Sequence, residues 1–269
     1  MSMKTSFAKK MEYGFTLVEM AIVLVILGFV LGALLLPLRA QREQAAQLQT
    51  ENTLENAKQA LLGYAQQQGR LPCPATAASN GIESQNPAGS GTCTQQVGFL
   101  PAATLGTQPI NSQGLAIDAW NNPIRYAVSQ SKVDITTGAA TTNYIFTTSN
   151  GMSTAGIANL IQTPSLRVCR SFSAFATTCS APPIANEVNY LINNAVAVIY
   201  STGATASQAI GGADENENLN PSLVSLPNQI DTVFVSHDIS AAPNEFDHLV
   251  TWISPYVLYN AMIQAGQLH

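Results

Sequence analysis

Apolar and polar positions follow three successive patterns along the chain. From Phe15 to Leu38 the sequence FTLVEMAIVLVILGFVLGALLLPL is apolar on every face, and its twenty-four residues contain one charge, Glu19. A helix needs about 20 apolar residues to cross the roughly 30 Å hydrocarbon core of a bilayer, so this stretch is expected to span a membrane. From Arg39 to Gln68 the chain has no proline and is rich in Ala, Gln and Leu. Leu54, Ala57, Leu61, Tyr64 and Ala65 recur there at spacings of three and four, which places them on one helical face. The helix is therefore expected to continue outward until Gly69 stops it, with Pro72 preventing resumption. Pro37 either breaks this helix or marks its exit from the membrane.

Beyond Gly69 the pattern changes to short apolar runs interrupted by Gly, Pro, Asn and Ser, as in β-structure with long connections. Strands are expected at residues 124–129, 144–148, 195–201, 232–236 and 248–253, forming an antiparallel sheet that buries the Leu54–Ala65 stripe. Ser254-Pro255 supplies a capping hydroxyl followed by a proline at the first helical position. A short C-terminal helix follows, with Val257, Leu258, Ala261, Met262 and Ala265 on its apolar face and Gly266 at its end. The predicted fold class is α+β: a long N-terminal membrane-spanning helix continuing into a globular head with an antiparallel sheet and a short C-terminal helix.

Composition and charge narrow the function classes. The 269 residues are 46% hydrophobic and only 10% charged, against about 25% charged in ordinary soluble domains. Lys4, Lys9 and Lys10 precede the apolar run and hold that end in the cytoplasm. After Leu71 there are four basic and eleven acidic residues, a balance of −7. A nucleic-acid partner is not expected, because phosphate contacts require a basic patch that this chain lacks.

Two simpler accounts of the N-terminus compete with a specialised one. A secretory signal peptide has an apolar region of about 7–15 residues and a small-x-small cleavage site, and neither is found here. A plain single-span anchor leaves Glu19 unexplained, since an ionised carboxylate within a membrane helix costs about 2.5–3.5 kcal/mol even on lenient scales. Arg39 lies twenty residues further on, about 30 Å along a helix, so a cationic partner has to come from elsewhere. Gly14 followed by Phe15-Thr16-Leu17-Val18-Glu19 and a long apolar stretch resembles the processing site of type IV prepilins and type II secretion pseudopilins. The resemblance implies that a prepilin peptidase cuts after Gly14 and methylates the new amine on Phe15. It further implies that Glu19, the fifth mature residue, meets the N-terminal amine of a neighbouring pilin or pseudopilin subunit. The layout expected is then a cytoplasmic leader (1–14), a transmembrane and assembly helix (15–38), an amphipathic extension (39–69) and a β-rich periplasmic or extracellular head (70–269). The chain would start in the inner membrane and end in a pilus or pseudopilus filament. Asp118-Ala-Trp-Asn-Asn-Pro-Ile-Arg-Tyr126 is also similar to the Asp-x-Trp-Gly-Asn-Pro stretch of major pseudopilins, with Asn121 at the glycine position.

Cys73, Cys93, Cys169 and Cys179 lie in Pro/Gly/Ser/Thr-rich surroundings without a C-x-x-C spacing, which disfavours zinc. In an oxidising compartment an even number predicts two disulfides; nearest-neighbour pairing, 73–93 and 169–179, is the simplest of three connectivities. The run Gly211–Asn220 places Asp214, Glu215 and Glu217 in an expected flexible loop, where their oxygens suit calcium as a possible bound ion. Related pseudopilins hold calcium in a head loop. No enzyme is expected: Gly151-Met-Ser-Thr-Ala-Gly156 is not a nucleophile elbow, and phosphate-binding and H-E-x-x-H motifs are missing. The alternative to a filament subunit is a singly anchored periplasmic binding or adhesion domain that does not polymerise.

Overall fold

The computed structural model describes residues 14, 16–133, 140–160, 164–171, 190–206, 212–226, 229–240 and 245–268. Two compact units divide the chain, residues 1–46 and 47–269. The elements are α1 (Leu17–Gln68), β1 (Val97–Phe99), α2 (Ala102–Leu105), β2 (Arg125–Val128), β3 (Ser131–Val133), β4 (Ala140–Asn143), α3 (Gly151–Ala155), α4 (Ile157–Leu160), β5 (Leu166–Cys169), β6 (Tyr190–Ala195), β7 (Ala197–Ser201), α5 (Ala213–Leu219), β8 (Leu223–Leu226), β9 (Gln229–Val235), β10 (Leu249–Ile253) and α6 (Pro255–Gln264).

In the first unit the described apolar residues of α1 are exposed all round, Leu17 to 87% and Phe29 to 76%. A helix apolar on every side requires an apolar surrounding. Among the described residues, however, no helix is long and apolar enough to cross a membrane. The described apolar side chains run from Leu17 to Gly32, sixteen residues, against about 20 for a full span.

In the second unit the outer half of α1 buries Leu54, Ala57, Leu61 and Ala65 as the spacing predicts, with Thr50 and Leu62 added and Tyr64 half-buried. Gly69 ends the helix at φ +68°, its amide donating to the Ala65 carbonyl at 2.9 Å. The stripe packs with Tyr126, Val128, Ile199 and Ile253 of a four-stranded antiparallel sheet in the order β1-β2-β7-β10. The opposite face of that sheet (Ala127, Val198, Tyr200) packs with Leu166, Val168 and Phe234 of a second sheet, β6-β5-β9-β8. All of β7 is buried because alternate side chains enter two different cores. The chain passes from one sheet to the other at Val196, whose amide donates to the Ile253 carbonyl and whose carbonyl accepts from Ser129, both at 2.9 Å.

The expected single antiparallel sheet is therefore incomplete. A second sheet exists, and it is mixed, with β5 and β9 parallel. The strand expected at residues 144–148 is a turn, in which the Tyr144 carbonyl accepts from the amides of Thr147 (3.2 Å) and Thr148 (2.9 Å). Its apolar residues are buried by that turn without pairing. Helix α6 begins as expected, with the Ser254 hydroxyl accepting from the Val257 amide at 3.4 Å and Pro255 at its start. Its buried face is Leu258, Tyr259 and Met262, while Val257 and Ala265 are exposed. The Tyr259 hydroxyl, donating to the Leu160 carbonyl at 2.9 Å, fixes this rotation.

Candidate processing and assembly site

Gly14 is exposed and lies outside regular structure. Phe15 and the leader lie outside the described residues. Thr16 immediately precedes α1, and Glu19 is in its first turn. The Glu19 carboxylate accepts from the Thr16 amide at 2.8 Å and from its hydroxyl at 3.0 Å. In return the Glu19 amide donates to the Thr16 hydroxyl at 3.3 Å. This is a reciprocal capping box, in which two otherwise unsatisfied amides at a helix start find acceptors. The Thr-x-x-Glu spacing carried that signal in the sequence. It was masked by the stronger expectation that Glu19 seeks a cation in a second subunit. A carboxylate in a helix first turn also meets the positive end of the helix dipole.

Among the head residues singled out, Cys73 and Cys93 are joined in a disulfide with a Cα–Cα distance of 5.3 Å. Cys169, buried at the end of β5, is disulfide-bonded as well. Cys179 lies outside the described residues. Beside the Cys73–Cys93 bridge, Arg70 grips Glu83 through two hydrogen bonds of 2.9 and 2.6 Å, and the Cys73 amide adds a third at 3.0 Å. Burial pushes the Glu83 carboxyl up, yet the bonds from Arg70, the Cys73 amide and Gln85 outweigh it and hold the group below its ordinary range.

The Asp118–Tyr126 segment forms a turn organised by one carboxylate. Asp118 Oδ1 accepts from the amides of Trp120 (2.9 Å) and Asn122 (2.8 Å), and Oδ2 accepts from the Ser201 hydroxyl. Burial pushes this carboxyl upward against those bonds. The Asn122 side chain donates to the Gly203 carbonyl at 2.6 Å, and the Ala119 amide donates to the Thr50 hydroxyl of α1 at 3.2 Å. Asn121 has φ +68°, the left-handed region that glycine and asparagine tolerate best. The substitution at the glycine position therefore preserves the turn.

Residues 213–219 are the helix α5, where a flexible loop was expected. Acidic residues in a first turn favour that helix, and each carboxylate has its own neighbours. Asp214 accepts from Ser171 at 3.2 Å and faces His237 Nε2 at 3.2 Å. Glu217 accepts from the Ser222 amide (2.7 Å) and hydroxyl (2.9 Å). Glu215 accepts from the Asp247 amide at 2.8 Å. The three side chains predicted as calcium ligands thus face three different places.

Glu215 instead joins Asp247 and His248, with one ligand atom of each within 4.8 Å of the others. Burial, followed by the Asp247 charge, pushes the Glu215 carboxyl up to about 7; burial pushes His248 down to about 4, so its ring is neutral. The Asn218 side chain is held by Val235 at both ends, accepting from its amide at 2.7 Å and donating to its carbonyl at 2.9 Å. Its second N–H therefore points at His248 Nδ1, 3.2 Å away, which leaves the ring proton on Nε2. A metal-ligating histidine needs one nitrogen free of hydrogen and the other donating. The hydrogen-free nitrogen of this ring is Nδ1, which the Asn218 N–H already occupies, so the cluster suits a shared proton better than a metal.

The fold and the helix start define an α+β protein whose N-terminal helix is apolar, exposed and capped by its own carboxylate. Residues 9–35 match the family model described as the prokaryotic N-terminal methylation motif. The chain carries the prepilin-type motif of type IV pilins and pseudopilins. No curated protein and no solved structure matches the chain.

Proposed function

We propose that this chain is a filament subunit, a minor pilin or pseudopilin of a type IV pilus or type II secretion system. Prepilin peptidase cuts it after Gly14 and methylates the Phe15 amine. Residues 15–38 hold it in the inner membrane with its head in the periplasm, and assembly pairs Glu19 with the Phe15 amine of a neighbouring subunit. The observation that carries this reading is the motif match over residues 9–35, with Glu19 in the first turn of an exposed apolar helix. A head of some two hundred residues suits a low-copy position better than a repeating one, and its role is structural, without catalysis. Mass spectrometry of the protein purified from its native envelope tests the reading. The expected mature N-terminus is N-methylated Phe15; retention of Met1 would select a plain anchored domain.

A further inference from the structure

We propose that folding moves one proton from the His248 imidazole to the Glu215–Asp247 carboxyl pair, and that this exchange keeps the 245–248 segment closed on α5 in mildly acidic as well as neutral surroundings. The inference goes beyond the filament reading and does not rest on it. The segment is fastened on three sides. The Glu245 carbonyl accepts from the Gly212 amide at 3.2 Å beside the start of α5, Phe246 and Ser240 exchange backbone bonds of 2.9 and 3.0 Å, and Asp247 Oδ2 accepts from the Thr205 amide at 2.8 Å. The Phe246 ring centroid lies 3.9 Å from that of His237 and 5.5 Å from that of His248. A Cβ at Gly203 would overlap the Asp247 carboxyl, so that group has no room to withdraw toward the turn after β7. Its Oδ1 is buried and has no donor among the described residues. Glu215, 3% exposed, already accepts from the Asp247 amide through Oε1. A proton on Glu215 supplies the donor that Asp247 Oδ1 lacks, and a hydrogen bond between the two carboxyls favours that protonated form.

The surrounding charges oppose a second ionised carboxyl here. Asp247 and Glu245 act on Glu215 from the segment, and both are negative. Asp214 and Glu217 stand on α5 itself, and His237, followed by Asp238, turns its Nε2 to Asp214 at 3.2 Å. From β7 comes Tyr200, whose hydroxyl donates to the Asn218 carbonyl at 2.8 Å and is pushed up by burial. Asp247 is the charge that acts on His248, and burial outweighs it. An ionised Glu215 would face the Asp247 carboxylate with little water to screen them. A cationic His248 would point a second N–H at the Asn218 N–H. Placing one proton on the carboxyls and none on Nδ1 removes both conflicts.

The two titrations have opposite signs. Glu215 lies at about 7 in the folded chain against an ordinary 4.5, so its contribution is complete below 4.5 and is lost as pH rises through the folded value. His248 lies at about 4 against an ordinary 6.5, so its contribution is complete above 6.5 and is lost as pH falls through the folded value. Between 4.5 and 6.5 folding takes up at Glu215 nearly the proton it releases at His248, and closure changes little with pH.

Amide hydrogen exchange of the full chain in detergent, corrected for its intrinsic pH dependence, reads closure at the Asp247 and Thr205 amides. In the parent, protection is expected to stay within about threefold from about pH 5 to 8. Glu215→Gln, whose amide can still donate to Asp247, leaves the His248 titration alone, so protection is expected to rise by about tenfold or more over that range. His248→Asn, whose carbonyl can still accept from Asn218, leaves the Glu215 titration alone, so protection is expected to fall by about tenfold or more. A merely structural role would lower both profiles without tilting them in opposite directions. At about pH 6, the infrared difference between the parent and Glu215→Gln is expected to show the C=O stretch of a protonated carboxyl. Absence of that band, slopes of one sign in the two variants, or variant profiles parallel to the parent's would each overturn the inference. Where a variant fails to fold, carbon NMR of the Glu215 carboxyl in the parent decides alone: an upward-shifted titration supports the inference and an ordinary one overturns it.

Discussion

At the scale of single residues, Asn121 shows how a departure from a motif is absorbed. Its φ of +68° suits asparagine nearly as well as glycine, whereas a β-branched residue is strained there. Asn121→Gly is expected to leave urea-unfolding stability within about 0.5 kcal/mol, and Asn121→Val to lower it by about 1–3 kcal/mol. Glu83 yields a pH dependence with a definite sign. Its folded carboxyl lies below the ordinary value because Arg70, the Cys73 amide and Gln85 favour the ionised form. The stability it contributes is complete above the unfolded carboxyl's range and is lost as pH falls through the folded value. Thermal melting between pH 6 and 3 should therefore decline less steeply in Arg70→Gln than in the parent, from a lower starting stability. The Arg70–Glu83 pair itself was not legible, because its members stand thirteen positions apart along irregular chain and only the fold brings them together.

At the scale of elements, periodicity decided what could be read in advance. The α1 stripe and both helix stops were legible because spacings of three and four admit one face, and glycine marks the end. Leu61 is fully buried in that stripe, while Gly63, two residues later, is exposed with no heavy atom within 4 Å of the position a Cβ would take. Leu61→Ala should cost about 2–5 kcal/mol, and Gly63→Ala should gain up to about 1 kcal/mol by helix propensity alone. Equilibrium denaturation checks both, and a similar response at the two sites would contradict the packing described. Strands β5 and β6 were not legible. Leu166–Cys169 is four residues long with Arg167 in its middle, and its parallel partner β9 is more than sixty residues away. The apolar run at 144–148 misled for the opposite reason, since aromatic and β-branched residues also fill a buried turn. α5 was missed because acidic residues read as a solvated loop unless the helix dipole and their separate partners are known.

For the whole molecule, the proposed filament role raises the question of how one chain would serve first as a solitary subunit and then as a polymerised one. The sequence presents Glu19 as a charge without a partner, and the family resemblance offers a neighbour's amine for it. The structure supplies a local one: Thr16 meets the carboxylate with an amide and a hydroxyl before any neighbour arrives. The solitary chain therefore need not bury an unsatisfied carboxylate, and a neighbour's amine has to compete with a capping box worth on the order of 1 kcal/mol. The cap is already charge-assisted through the carboxylate, and in the proposed pairing a neighbour's amine would add the attraction of a full positive charge to that competition. Removing each partner separates the two roles. Glu19→Gln keeps side-chain oxygen for the cap and loses the charge, so cleavage after Gly14 and the melting of residues 47–269 within the full chain should be unchanged while filament recovery collapses. Thr16→Ala keeps the charge and weakens its local competitor, so recovery should equal or exceed that of the parent. Equal loss in both variants, read as filament-to-membrane ratios, would show that Glu19 acts through the helix cap and would remove the neighbour's amine from the account.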